Sequence, residues 1–279
     1  MERMGTSLYN STLTKRSWRE GGKRVITNGI YRFFLIWYVC GVVLLSFDLL
    51  PSWLEWANAV FLHLSSLLAL IYLTKAYGVR RALLVAIFVT GASIYIESLG
   101  VKYGFLFGSY DYEKDFGAKI LGVPLTIGSA WFMVVITSRI LALGIMKRME
   151  LPFIVHGIAY AVISSLFAVI MDLAIDPVAY VVKQYWVWEG DSFYYNIPLS
   201  NFSGWFLLSF FIQLVVYFFL AKSPKEENPV WEKRMVFLYS AVVMMFVIVA
   251  LANGLWLVVC LTMIPFLILY IVYKKETRL

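Results

Sequence analysis

Eight long apolar runs constrain this chain more than any other feature of its sequence. In lipid, backbone polar groups must be hydrogen-bonded within the protein, so a spanning segment is a helix of about 20 residues or part of a closed barrel. Runs of helical length lie near residues 30–50, 54–74, 82–101, 121–145, 152–176, 197–221, 235–252 and 254–273. Only 15% of the 279 residues are charged, against about 25% in soluble domains. The sequence therefore predicts an all-α polytopic membrane protein with about eight transmembrane helices.

The distribution of basic residues indicates how these spans are oriented. With both termini inside, 20 of the 24 Lys and Arg residues fall on the inner side, and the outer side keeps only Lys102, Lys114, Lys119 and Lys183. Because cytoplasmic loops carry the basic excess, this split predicts a multi-pass protein of the cell membrane with cytoplasmic N- and C-termini. We expect residues 1–29 to form a basic cytoplasmic tail rather than a cleaved signal, and residues 30–279 to form a single transmembrane domain. The net charge of +7 then indicates membrane lipid as a partner and not nucleic acid.

Several metal and cofactor chemistries lack the residues that they need. Cys40 and Cys260 lie inside apolar runs, so we expect two buried free thiols and neither a disulfide nor a thiolate metal site. His63 and His156 are the only histidines, too few for the imidazole-rich di-iron centres of membrane desaturases. The sequence has no glycine-rich dinucleotide motif after a strand-like run and no Walker A motif. We therefore expect no metal and no cofactor.

A ten-residue segment occurs twice and predicts an internal repeat. Residues 123–132 (VPLTIGSAWF) and 197–206 (IPLSNFSGWF) are identical at five of ten positions. The similarity extends upstream, which gives repeat units of about 82–145 and 152–221, formed by spans 3–4 and 5–6. The first helices of the two units run in the same direction, so the repeat is parallel, with its axis along the membrane normal.

Each copy also carries an acidic residue and an aromatic pair upstream of its proline. Glu97 lies 27 residues before Pro124, and Asp172 lies 26 residues before Pro198, with Asp176 one helical turn beyond Asp172. The aromatic pairs are Tyr110 with Tyr112 and Trp186 with Trp188. A charged carboxylate inside an apolar span costs at least about 2.5 kcal/mol, so we expect these acids to face the bundle interior. Burial favours the protonated form of a carboxyl group, which predicts a proton donor at this site.

These residues also have interpretations without a catalytic role. Acids near helix ends can reach lipid headgroups or pair with Lys102 or Lys183. Proline in a first helical turn and tryptophan at a membrane interface are both common. The tyrosine and tryptophan pairs can be interfacial anchors, or they can present aromatic faces to a cation.

Six motifs between about residues 95 and 210 occur in the order found in a known family. They are FGSYDY (107–112), GVPL (122–125), DPVA (176–179), WVW (186–188), IPLSNF (197–202) and GW (204–205). With these motifs the chain resembles the membrane carotenoid hydratases, the family of bisanhydrobacterioruberin hydratase and the bacterial carotenoid 1,2-hydratases. Residues 126–129 (TIGS) depart from the more apolar turn expected of that family.

The resemblance implies cofactor-free addition of water to a terminal isoprenoid C=C bond of an acyclic carotenoid, of the lycopene or bisanhydrobacterioruberin type. Such a hydration needs an acid that protonates one carbon, surroundings that stabilise a tertiary carbocation, and a held water molecule. We predict that Asp172 or Glu97 is the acid and that Asp176 and Asn201 position the water. The predicted substrate-binding residues are Asn201 and the aromatic residues Tyr110, Tyr112, Trp131, Trp186, Trp188 and Trp205.

Two other functions remain open at this point. A lycopene-cyclase-like enzyme would protonate the same kind of bond and then close a ring, but its motif carries glutamates just after the proline, where this chain has Thr126 and Ser200. A proton-coupled small-molecule transporter would also use a parallel repeat and intramembrane acids. Against the transporter, the predicted polar residues gather at one face of the membrane and not at its midplane. Hydration of one or both carotenoid ends, and any oligomeric state, are compatible with the sequence.

Overall fold

Most of the chain is described in the computed structural model. It covers residues 2–113, 116–188 and 192–277, with side chains from Gly21 onward except that of Lys23. The chain divides into two compact units, residues 1–40 and residues 41–279. Lys114, Arg278, the side chain of Lys23 and the basic side chains before Gly21, all included in the count of basic residues, lie outside the described part.

Eight long helices dominate the described residues and confirm the predicted all-α polytopic fold. Each contains a stretch that is long and apolar enough to cross a membrane. Their bounds are α1 Glu2–Ser46, α2 Trp56–Tyr77, α3 Val79–Tyr103, α4 Leu125–Ile145, α5 Phe153–Pro177, α6 Leu199–Ala221, α7 Pro229–Ala252 and α8 Trp256–Thr277. The apolar stretch of α1 is Arg24–Ser46, and the backbone of the predicted N-terminal tail is already helical.

Several predicted helix boundaries differ from the structure by a few residues, and two of these differences have a local chemical reason. The first span was expected to reach residue 50, but α1 ends at Ser46 and Asp48 has a left-handed backbone with φ of 51°. The seventh span was expected to begin at residue 235, but α7 begins at Pro229. Proline suits the first helical position, and the Asn228 side chain caps the helix by accepting from the Trp231 backbone N–H at 3.3 Å.

The last two spans meet at the short turn that the sequence predicts. Helix α7 ends at Ala252 and α8 begins at Trp256. Between them Gly254 has φ of 75°, a conformation that glycine adopts without steric cost.

Two short β-ladders in the connections between helices were not predicted. Strand β1 (Tyr110–Tyr112) follows α3, β2 (Lys119–Ile120) and β3 (Val123–Pro124) precede α4, and β4 (Trp186–Trp188) lies between α5 and α6. Strands β2 and β3 form a hairpin whose two turn residues, Leu121 and Gly122, both have positive φ, as in a type I′ turn.

The pairing of β1 with β4 brings the two aromatic pairs of the repeat together. The strands are antiparallel, with Tyr110 opposite Trp188, Asp111 opposite Val187 and Tyr112 opposite Trp186. A π-helical turn, Val178–Val182, leads from α5 toward β4. Corresponding segments of the two repeat copies therefore contact each other directly.

Helix α4 lies at the centre of residues 41–279. It packs against α2, α3, α5, α6, α7 and α8, and its side chains from Trp131 to Ala142 are all buried. A helix that is buried on every face has to satisfy any polar group within the bundle, because no side is available to lipid headgroups or water.

The two cysteines are free thiols, but both are exposed and not buried as predicted. Helix α8, which carries Cys260, also presents large apolar side chains outward, among them Trp256, Ile264, Ile268 and Ile271. Lipid tails are as apolar as leucine. An apolar run in a membrane protein therefore predicts a span without distinguishing its core positions from its lipid-facing ones.

Candidate active site

The three predicted acids are buried close to the β1–β4 ladder. Glu97 on α3 is 6% exposed, and Asp172 and Asp176 on α5 are 1% and 2% exposed. Lys183 does not neutralise them, because its ammonium pairs with Asp48 at 2.8 Å. The acids therefore face the protein interior, as the cost of a carboxylate in lipid predicts.

Glu97 is held by two donors from its own repeat copy. The Trp131 indole on α4 donates to Oε1 at 2.9 Å, and the Tyr110 hydroxyl on β1 donates to Oε2. Both carboxyl oxygens accept a hydrogen bond, so the Glu97 carboxyl group is fixed in position beside Trp131.

Asp172 and Asp176 share a single amide group. One turn apart on α5, they both accept from Asn201 Nδ2 on α6, at 2.9 Å to Asp172 Oδ2 and 2.6 Å to Asp176 Oδ2. The Trp186 indole on β4 donates to Asp176 Oδ1 at 2.7 Å. Asp176 thus has donors on both oxygens, whereas Asp172 Oδ1 accepts no hydrogen bond from the described residues.

The predicted aromatic residues line this acid cluster. Trp131 and Trp205 stack with ring centroids 4.2 Å apart and planes 23° apart. The ring centroids of Tyr110 and Trp188 are 4.8 Å apart, and those of Tyr112 and Trp186, which meet edge-on, are 6.3 Å apart. The structure therefore brings together all ten residues that the sequence analysis selected for the site.

The tyrosines of this cluster are protonated donors. Burial, and next to it the Glu97 carboxyl group, raise the pKa of Tyr110 well above its ordinary value. The same two causes, in the same order, raise the pKa of Tyr112. Near neutral pH both side chains keep their hydroxyl protons, so the Tyr110 hydrogen bond to Glu97 points from phenol to carboxyl.

Two glycines allow the loop after α3 to pack closely beside the site. A Cβ atom at Gly204 on α6 would lie 2.7 Å from the backbone oxygen of Leu106, and one at Gly100 would lie 3.0 Å from the Phe107 ring. The Ser200 hydroxyl donates to the Phe107 carbonyl at 3.0 Å. This loop leads directly into β1. Its contact with α6 therefore helps to position the Tyr110 hydroxyl for its hydrogen bond to Glu97.

The tryptophan stack relates the two repeat copies within the site. Trp131 and Trp205 occupy the same position of the ten-residue repeat. Together with the β1–β4 pairing, their contact places one copy's acid, Glu97, on the same side of the bundle as the other copy's acids.

Sequence reasoning missed two features of this interior. Tyr194, 1% exposed, donates to the Leu173 carbonyl at 2.7 Å and interacts electrostatically with Asp172. No periodic signal distinguishes such a loop aromatic from an interfacial anchor. Arg139 was counted among the inner-side basic residues, but it is 4% exposed within α4. Its repeat position, which matches that of Gln213, is the signal that could have identified it.

The arrangement is suited to acid–base chemistry on an apolar molecule. It combines Asp172, which has one carboxyl oxygen without a hydrogen-bond donor, with Glu97 and Asp176, whose carboxyl oxygens all accept hydrogen bonds. Aromatic rings line the cluster. Within the described ranges, no three His, Cys, Asp or Glu side chains converge in a way that could hold a metal ion.

Comparison with known proteins gives one family and one curated relative. The sequence model of the family described as "Carotenoid biosynthesis protein" matches residues 57–269, which include both repeat copies and all three acids. Bisanhydrobacterioruberin hydratase of Haloarcula japonica is 32% identical over 130 residues, which is 46% of this chain and 42% of that protein. The chain therefore matches less than half of the length of this relative. No solved structure matches the chain.

Proposed function

The chain belongs to the carotenoid biosynthesis protein family, and from this premise we propose that it hydrates a terminal C=C bond of an acyclic carotenoid. The observation that carries the proposal is the acid pair of Asp172 and Asp176, buried, bridged by Asn201 and placed beside a stacked pair of tryptophans. The hydratase relative and the motif resemblance support the same reaction. The proposed enzyme uses no cofactor.

The first step is protonation of the alkene by Asp172. Asp172 and Asp176 share one amide donor, and two neighbouring carboxyl groups avoid carrying two negative charges. Asp176 and Glu97 have donors on both oxygens, whereas Asp172 has a free Oδ1 that can carry the proton. The π electrons of the terminal bond take this proton, which leaves a tertiary carbocation on the substrate.

The second step is stabilisation of the cation. The face of an aromatic ring attracts a cation, and a fixed carboxylate stabilises it further where water is excluded. Trp131 and Trp205 supply the ring faces, and Glu97, hydrogen-bonded to Trp131, supplies the negative charge on the same side.

The third step is capture by water. A water molecule held by Asp176 and Asn201 attacks the cationic carbon, forms the C–O bond and loses a proton to the acid pair. The pair regains the proton that Asp172 gave up, so the net reaction adds one water across the double bond. No electron enters or leaves, in agreement with a cofactor-free reaction.

The substrate that suits this site is a hydrophobic polyene. Lycopene and bisanhydrobacterioruberin types of carotenoid carry the required terminal isoprenoid bonds and reside in lipid. The basic residues support a location in the cell membrane with both termini cytoplasmic and with the acid cluster toward the outer face.

The test is the mass of the pigments in a host that accumulates either lycopene or bisanhydrobacterioruberin and expresses the chain. We expect pigments heavier by one or two waters with the unaltered chain and with Asp48→Asn, whose acid is exposed and outside the site. We expect none with Asp172→Asn. A product of unchanged mass and altered retention would indicate a cyclase and contradict the proposal, as would unchanged pigments in both hosts.

A further inference from the structure

A second buried polar cluster surrounds Arg139, two turns below the acid cluster's tryptophans on α4. The guanidinium donates to the hydroxyls of Tyr160 at 3.2 Å and Tyr77 at 3.0 Å and lies over both rings. The Tyr160 hydroxyl donates to Gln213 Oε1, and Gln213 Nε2 donates to the Val135 carbonyl at 2.8 Å. No carboxylate among the described side chains forms an ion pair with Arg139.

Polar side chains at helical spacing join this cluster to the acids. On α5, the buried residues Tyr160, Ser164, Asp172 and Asp176 follow at intervals of four or eight residues, with Ala168 between Ser164 and Asp172. On α6, Asn201, Trp205, Ser209 and Gln213 follow at intervals of four. Residues four apart are neighbours on a helix surface, so the α6 set forms a continuous line, whereas Ala168 interrupts the α5 set. Since Asn201 contacts Asp172 and Gln213 contacts Tyr160, the two lines face each other from end to end. We call them together the polar column.

Two polar atoms at the lower end of the column have no protein partner. Ser209 Oγ and the neighbouring Arg139 Nε are buried and make no hydrogen bond with the described residues. A buried donor or acceptor that is left unpaired destabilises the protein. Buried water molecules commonly satisfy such groups, each making two to four hydrogen bonds.

The Arg139 cluster shares Tyr77 with a pocket at the protein surface. The pocket has a volume of about 480 Å³ and lies at the turn between α2 and α3. Its lining includes Tyr77, the hydrogen-bond partner of Arg139, and the side chains of Arg80 and Arg81. Arg80 is exposed, so this basic pocket is accessible from outside the bundle.

We propose that the polar column binds a chain of water molecules and supplies water to the acid cluster from the pocket at the α2–α3 turn. The inference rests on the proposed function, since a hydratase consumes one water in every turnover. From Tyr160 to Asp172 the column is about 18 Å long, at 1.5 Å per residue. A fixed cation on such a path repels protons and admits neutral water, so Arg139 makes the column a water route and not a proton relay.

The first test is hydroxyl-radical labelling by X-ray radiolysis of the full chain in lipid, followed by mass spectrometry. Radicals formed from bound water modify the side chains next to that water. Tyr160 and Tyr239 are a matched pair, because both are fully buried, but the Tyr239 hydroxyl donates to the Phe167 carbonyl outside the column. We expect Tyr160 to be labelled several times faster than Tyr239. Equal, slow labelling of both would overturn the proposal.

The second test blocks the column between its two ends. Ser209→Leu places a bulky apolar side chain between Trp205 and Gln213 of the column, while Ser240→Leu on α7 is the control outside the column. We expect Ser209→Leu to lower the labelling of Trp131 several-fold and to leave Tyr160 labelled. Unchanged labelling of Trp131 in a folded variant would mean that water reaches the acids from the other face.

Activity then separates this inference from the proposed function. With an active enzyme, Ser209→Leu lowers kcat several-fold and leaves the KM for the carotenoid unchanged, since the block limits water and not carotenoid binding. An unchanged kcat would overturn the inference. If the unaltered chain hydrates no carotenoid, the proposed function fails, while the labelling of Tyr160 still decides whether the column holds water.

Discussion

The two repeat copies hold their acids with similar donors but differ in how many acids those donors serve. In each copy an acid near the end of the first helix accepts one hydrogen bond from the copy's strand and one from its second helix. In the first copy these donors are Tyr110 and Trp131, and both serve Glu97. In the second copy the helix donor is Asn201, which serves Asp172 and Asp176 together.

This difference indicates how the two copies of a duplicated unit can take different roles in one reaction. The first copy provides a single carboxylate with both oxygens hydrogen-bonded, which suits stabilisation of a cation. The second copy provides two carboxyl groups with too few donors for both to be ionised at low cost, which suits a shared proton. Trp131 and Trp205 stack between the copies, so each copy contributes one tryptophan to the proposed site.

The largest effect is expected from removing the proton donor of the second copy. Asp172→Asn keeps the shape of the side chain and cannot transfer the proton, so kcat should fall by roughly 10²–10⁴-fold, the usual contribution of a positioned acid. The measurement is product formation from a saturating carotenoid in lipid vesicles. Activity within a factor of two of the unaltered chain would show that the copies do not differ as described.

A smaller loss is expected from the acid of the first copy. Glu97→Gln removes the negative charge beside Trp131, and loss of one electrostatic stabiliser should lower kcat by about 10²-fold with little change in KM. Kinetics in the same vesicles check this value. If Glu97→Gln loses more activity than Asp172→Asn, then Glu97 is the proton donor and the roles of the copies are reversed.

The shared amide should matter less than either acid. Asn201→Leu has a similar volume but offers no donor to Asp172 and Asp176, so we expect kcat to fall roughly tenfold, as for the loss of a hydrogen bond to a charged group. Ser203→Ala on the exposed side of α6 is the control and should retain full activity. An equal effect of both variants would contradict a role for the amide.

The smallest effect concerns stability and the contact of the α3 loop with α6. Gly204→Ala places a Cβ atom 2.7 Å from the Leu106 carbonyl oxygen, so it should lower the free energy of unfolding by about 1–3 kcal/mol. Gly91→Ala on α3 meets no atom within 4 Å and should be neutral or slightly stabilising. Thermal unfolding in detergent compares the two variants. A Gly204→Ala protein as stable as Gly91→Ala would contradict the close approach of the loop.

The sequence predicts those parts of this molecule that depend on local pattern. Apolar runs give the spans, because lipid requires a helix of fixed length, and the repeat gives the acids, because Glu97 and Asp172 precede matching prolines at nearly equal distances. The short strands β1 and β4 escape prediction, since three residues are too few to establish a period. The burial of Arg139 could not be predicted for a different reason. A basic residue near the end of a span is usually an inner-side charge, and its hydrogen bonds to the hydroxyls of Tyr77 and Tyr160 become known only from the structure.

The central claim is that the acid pair of the second copy adds water to a carotenoid without a cofactor. The most direct test uses the purified chain in lipid vesicles with an acyclic carotenoid, no added metal, flavin or nicotinamide, and water labelled with a heavy oxygen isotope. The account predicts a product that carries one heavy oxygen for each hydrated end, formed by the unaltered chain and absent with Asp172→Asn. A product formed only after a cofactor is added, or formed equally well by Asp172→Asn, would contradict it.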